Sequence, residues 1–107
     1  MLPRMGDVVC HIVDRATWAR AVEAGRYAPP SLAREGFIHL SAPEQVARTA
    51  ARFFAGVDDL VVLVIAIGDL RAVLRWEAAD GELFPHPYGP IDPSTVRELR
   101  ELASFTP

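Results

Sequence analysis

Leu60-Val61-Val62-Leu63-Val64-Ile65-Ala66-Ile67 is the stretch that decides the fold. All eight of its residues are apolar, so neither face of the strand they form can meet water. Such a strand must lie in the middle of a sheet, with other elements covering it on both sides. An eight-residue run is also far too short to span a bilayer.

On the C-terminal side, Gly68-Asp69 turns the chain and Val73-Leu74-Arg75-Trp76-Glu77 alternates as a further strand. Ala78-Ala79-Asp80-Gly81 reads as a loop or hairpin turn that leads through Glu82 into Leu83-Phe84-Pro85-His86-Pro87-Tyr88-Gly89-Pro90-Ile91. The prolines there fix their own torsions and restrict the residues before them, so His86 and Tyr88 are aimed from a stiff closing loop. Beyond it, Val96, Leu99 and Leu102 fit helical spacing, while Thr95 to Leu99 fits an edge strand equally well.

On the N-terminal side, Val8 to Val13 is a β-branched first strand. Asp14 offers a cap to a helix that carries Trp18, Ala21 and Val22 inward and stops at Gly25. Tyr27 to Leu32 is a proline bend, followed by a single turn through Ala33 and Arg34. Phe37 to Ser41 reads as a strand with Phe37, His39 and Ser41 on one face and Ile38 and Leu40 on the other. Ser41-Ala42-Pro43-Glu44 reads as a capping box for a helix to about Ala55, which buries Val46, Ala50, Phe53 and Phe54 and ends at Gly56. The expected architecture is α+β: one compact domain over residues 8–102, with two helices packed on a mixed or antiparallel sheet and residues 1–7 as a flexible tail.

The 107 residues suffice for one core and not two. Half of them are apolar and 23% are charged, an ordinary soluble composition. The start of the chain has no secretory signal pattern and Cys10 is the single cysteine, so a reducing cytoplasm is the expected compartment, with no membrane association. A net charge of −3 argues against a general nucleic-acid binder. All eleven basic residues are arginine, and they are scattered along the chain.

His11, His39 and His86 all lie in or beside apolar segments. Burying three imidazoles separately would require three sets of polar partners, whereas one shared polar cleft meets the need at once. Glu77, Asp80 and Glu82 form an acidic group next to Trp76. A carboxylate there serves as a general acid or base if desolvation raises its proton affinity, or stabilises positive charge if it stays ionised. Ser41 is both a helix cap and a candidate substrate-binding hydroxyl. No His-x-His or His-x-x-x-His spacing supports a metal, and no phosphate-cradling glycine loop or nucleophile elbow is present.

Cys10-His11-Ile12-Val13, Glu35-Gly36-Phe37-Ile38-His39-Leu40-Ser41, Leu74-Arg75-Trp76-Glu77 and Phe84-Pro85-His86-Pro87-Tyr88-Gly89-Pro90-Ile91 together resemble a small bacterial family of unknown function. The family is sometimes labelled glutathione S-transferase-like, but this chain is too short for a thioredoxin-like domain plus a helical domain. The resemblance implies a fold similar to the ADP-ribosyltransferases, with a site for NAD between two small sheets and a strand for Thr95 to Leu102. It implies His11 as the early-strand histidine, Ser41 or Tyr88 as the later hydroxyl or aromatic, and Glu77 or Glu82 as the catalytic acid. The expected activity is binding of NAD or a nucleotide-like small molecule by His11, His39, Ser41, Trp76, Glu77, His86 and Tyr88, with ADP-ribosyl or glycosyl transfer. The alternatives are a non-catalytic ligand-binding module and a metal-dependent hydrolase.

Overall fold

Strand β2 (Leu60–Ala66) is buried along its whole length and lies between β1 (Val8–Asp14) and β5 (Val96–Glu101), antiparallel to both. The computed structural model describes residues 7–107, so the expected tail falls, over residues 1–6, outside the described residues. Helix α1 (Arg15–Ala24) follows β1 directly, with the Asp14 carboxylate accepting from the Thr17 N–H at 2.9 Å and Gly25 closing the other end. Trp18 and Ala21 of α1, with Tyr27, Ile38, Leu40 and Ile91, cover the face of the sheet formed by Val9, Val13, Val61, Leu63 and Ile65. Helix α2 (Pro30–Glu35) is a short connection. Helix α3 (Val46–Phe53) covers the opposite face, where Val46, Ala50 and Phe54 pack with Cys10, Ile12, Val62 and Val64. The chain is therefore α+β, with both faces of the central strand covered as its composition requires.

The expected single sheet with two helices is corrected, among the described residues, to two antiparallel sheets with three α-helices. The second sheet is the hairpin of β3 (Leu74–Ala79) and β4 (Glu82–Pro87). Its turn is Asp80-Gly81, with φ of 52° and 80°, the positive pair that a tight two-residue hairpin demands. The proline stretch is thus a strand as far as Pro87 and not a loop. The reason is positional. The Pro85 and Pro87 carbonyls accept from Leu40 and Ile38, so these residues turn their backbone away from β3 and their missing N–H groups leave the β3 ladder intact.

The same prolines explain why Phe37 to Ser41 is extended but is not a full strand. On one side it faces an edge with carbonyls and no donors at Pro85 and Pro87. On the other, it meets β1 through one bridge in which Cys10 and Ser41 exchange hydrogen bonds at 2.7 and 2.8 Å. This segment sews the two sheets together, with Ile38 and Leu40 on a common face, as the alternation predicts, and that face turned to the core.

Three local expectations also change. The cap of the second long helix moves by one residue: the Gln45 side chain accepts from the Ala42 N–H at 2.8 Å, and a 3₁₀ turn over Pro43–Gln45 precedes α3. Ser41 is unavailable as cap because its backbone is committed to Cys10 and its hydroxyl to Thr49 at 3.2 Å. Helix α3 stops at Phe53, and two residues expected to be buried are exposed, Phe53 at 65% and Val22 of α1 at 52%. Among the described residues no helix is long and apolar enough to cross a membrane.

Candidate functional site

Alternation along the hairpin puts Arg75 and Glu77 of β3 on the same face as Phe84 and His86 of β4, with Tyr88 just beyond. Glu77 is the centre of this face. Its Oε1 accepts from the Tyr88 hydroxyl at 2.6 Å and from His86 Nδ1 at 2.9 Å. These two donors, Tyr88 first, hold the Glu77 carboxyl below its ordinary range, while the same bond raises the Tyr88 phenol. Of the two states open to a carboxylate here, the ionised one is therefore built. An ionised carboxylate can only accept, so Nδ1 of His86 carries a proton and Nε2 is the nitrogen left to act.

The His86 side chain is 8% exposed and stacks on Phe37, with ring centres 4.0 Å apart and planes 19° apart. Beyond Phe37, His39 stands edge-on to His86 at 5.5 Å, and its Nε2 meets Glu35 Oε1 at 3.0 Å. That bond lowers the Glu35 carboxyl. The Arg75 guanidinium lies 5.2 Å from the centre of the Tyr88 ring. Two histidine–carboxylate pairs thus share one phenyl ring, and neither His86 Nε2 nor Glu77 Oε2 has a hydrogen-bond partner among the described residues.

His11 does not belong to this face. It points inward with Val9 and Val13, and its Nδ1 donates to the His39 carbonyl at 2.8 Å while Nε2 accepts from the Tyr27 hydroxyl at 2.7 Å. A carbonyl can only accept, which fixes that tautomer. Burial lowers the His11 ring to about 4, so it is neutral near pH 7 and supports the His39 segment from beneath. Two of the three imidazoles meet and the third ties the layer below. Trp76 lies on the other face of the hairpin, opposite Pro85 and 44% exposed. Glu82, near the hairpin turn, is paired with Arg48 and lies 3.4 Å from the Gln45 amide. Ser41 is buried and bonded to Thr49.

The structure therefore gathers His39, Glu77, His86 and Tyr88, and sets His11, Ser41, Trp76 and Glu82 apart from them. Glu35, Phe37 and Arg75 join the cluster without having been expected there. Phe37 had a usable signal, since period two puts it on the His39 face, and Arg75 shares the parity of Glu77. Glu35 had none of that kind, because the turn at Gly36 breaks the periodicity.

Two surface depressions lie elsewhere. One of about 660 Å³ is lined by Gly68 to Arg71 with Ser94, Thr95 and Arg97, and one of about 490 Å³ by Trp18, Val22, Pro93 and Leu99 among others. Neither includes any residue of the Glu77 cluster. Among the described residues no three His, Cys, Asp or Glu side chains come together to hold a metal ion, so the hydrolase alternative has no ligand set to start from.

Residues 12–99 match the model of a family described as a protein of unknown function, DUF952. The chain belongs to DUF952. Two solved structures share the fold of this DUF952 chain. The crystal structure of protein CC0527 from Caulobacter crescentus is 38% identical, with a TM-score of 0.80, and the match covers 88% of this chain and 84% of that one. The solution NMR structure of the same Caulobacter crescentus protein matches at 38% identity and a TM-score of 0.76 over 89% and 84% of the two chains. No curated protein matches the chain.

Proposed function

We propose that the Glu77 face binds NAD or a nucleotide-like small molecule through its ribose and base, and that the chemistry it supports is ADP-ribosyl or related glycosyl transfer. One observation carries this reading: a carboxylate kept ionised by two donors on one oxygen, with its other oxygen unpartnered at the surface. A carboxylate in that state accepts a hydrogen bond from a ribose hydroxyl and favours positive charge developing at the anomeric carbon. His86 Nε2 is placed to accept the proton of an incoming nucleophile, and Tyr88 and Phe37 offer ring surface to a base. The two small antiparallel sheets joined by Phe37 to Ser41 are in keeping with an ADP-ribosyltransferase-like fold. Glu82 has no part in this proposal because Arg48 neutralises it. His11 and Ser41 position the segment that carries His39.

Glu35, His39, Arg75 and Tyr88 of the cluster are exposed to solvent, which favours a second reading: a small-ligand-binding module that performs no chemistry. Incubating the purified chain with NAD and following nicotinamide release tests the first. Release by the wild type, abolished in Glu77→Gln while ligand binding persists, supports transfer. Ligand-induced thermal stabilisation without release supports the binding module. Neither release nor stabilisation by NAD or ADP-ribose refutes both.

A further inference from the structure

Strand β5 ends the three-stranded sheet, and its outer edge is unpaired among the described residues. An open edge is a template for another strand unless its sequence forbids the pairing. Four of the six residues Val96-Arg97-Glu98-Leu99-Arg100-Glu101 are charged and the ladder shifts at Arg97, features that guard an edge against strands at large, but the charges are of both signs and complement one another in one antiparallel self-pairing. We propose that β5 pairs antiparallel with β5 of a second copy of this chain, about a two-fold axis through Leu99.

The register follows from backbone direction. Cys10 turns its N–H and carbonyl to Ser41, away from β2, so alternation turns Val62 and Val64 of β2 toward Arg100 and Glu98 of β5. Leu99 and Glu101 then direct their N–H and carbonyl groups outward, with Arg97 at the bulge where the ladder shifts. Outward-facing residues must meet one another across a symmetric pair, and the axes that pair two different members of Arg97, Leu99 and Glu101 are those centred on Glu98, Leu99 or Arg100. An axis at Glu98 opposes two carboxylates and one at Arg100 opposes two guanidiniums, both unfavourable. The axis at Leu99 opposes Glu98 to Arg100 of the second copy twice, and Arg97 to Glu101 twice.

The decisive pair is Glu98 with Arg100, because Arg97 already holds Asp69 at 2.8 Å and Glu101 already holds Arg15. Glu98 has no ion-pair partner among the described residues, and Arg100 has only the Phe105 ring and the Thr106 carbonyl at 3.4 Å. In this register the two sit at the non-hydrogen-bonded positions, where opposed side chains are closest. On the other face, Leu99 is 44% exposed and lines the same depression as Val22, so the two Leu99 side chains meet beside apolar surface. The self-complementary arrangement is that of an isologous dimer.

Sedimentation equilibrium on the full chain, up to about 1 mM to suit a small interface, tests the proposal. The wild type is expected to approach twice the 11.7 kDa chain mass. Glu98→Arg sets two guanidiniums against each other across the axis and Arg100→Glu sets two carboxylates, so each variant alone is expected to dissociate at least about tenfold more readily. An equal mixture of the two restores opposite charges at both positions and is expected to regain the dimer. A wild type that stays monomeric, single variants that remain dimeric, or a mixture that fails to associate overturns the proposal. Thermal melts that match the wild type show that the variants fold.

Discussion

Acidification should destabilise the fold through one residue, His11. Its two ring nitrogens are occupied by the His39 carbonyl and the Tyr27 hydroxyl, and burial keeps its folded-state value near 4, against 6.5 in the unfolded chain. Between those values the unfolded chain binds a proton that the folded chain refuses, so stability must fall as pH drops from 6.5 toward 4. Each tenfold difference in proton affinity between the two states is worth about 1.4 kcal/mol, and the loss between pH 7 and pH 4.5 amounts to about 2.5 kcal/mol. The carboxylates act in a lower window. Glu35 and Glu77, whose ordinary value is 4.5, and Asp14 and Asp92, at 3.8, are all lowered by folding, so their contribution holds above those values and is lost only beneath them. Urea unfolding at pH 7, 6, 5 and 4.5 should therefore show a steady fall in unfolding free energy, and His11→Gln should flatten it. A wild-type profile level over that range, or an equal slope in the variant, refutes the reasoning.

Three further outcomes follow from the same geometry. Tyr27→Phe removes the donor to His11 Nε2 and should cost about 1–3 kcal/mol by chemical denaturation, whereas an unchanged midpoint would mean that the buried bond contributes nothing. A Cβ on Gly89 would lie 2.9 Å from the Ala72 Cβ, so Gly89→Ala should lower stability by about 1–3 kcal/mol, while Gly68→Ala, with nothing within 4 Å, should leave the melting temperature nearly unchanged. Cys10 is buried and its thiol is pushed up to about 12, chiefly by desolvation, so a thiol reagent should label it only on unfolding; prompt labelling of the native chain would contradict its packing.

The parts of the fold legible in the sequence were those where one rule acted alone. Leu60 to Ile67 had to be central because it was apolar on both faces, and all of it but Ile67 is β2, while Asp14 had to cap α1 because nothing else claimed its carboxylate. The alternation of Phe37 to Leu40 separates His39 from Ile38, and in the structure Ile38 is the one that faces the core. Reading failed where two demands met on one residue. Ser41 looked like a cap but spends its backbone on Cys10 and its hydroxyl on Thr49. Pro85 and Pro87 looked like loop residues because their tolerance in β4 depends on which way each carbonyl points, a property of pairing and not of composition. His11 resembled its two fellow histidines in sequence, yet its parity with Val9 and Val13 sends it into the core. Glu35 entered the cluster through a turn that no periodicity describes.

The most direct test of ligand binding at the Glu77 face is a two-dimensional NMR titration of the labelled chain with NAD and with ADP-ribose, following the histidine side-chain and backbone amide signals. Binding there predicts saturable shifts confined to Glu35 to His39, Glu77 and His86 to Tyr88, with the buried His11 ring changing little. Shifts centred instead on the depression between Arg71 and Arg97, or no saturable shift with either ligand, would contradict it.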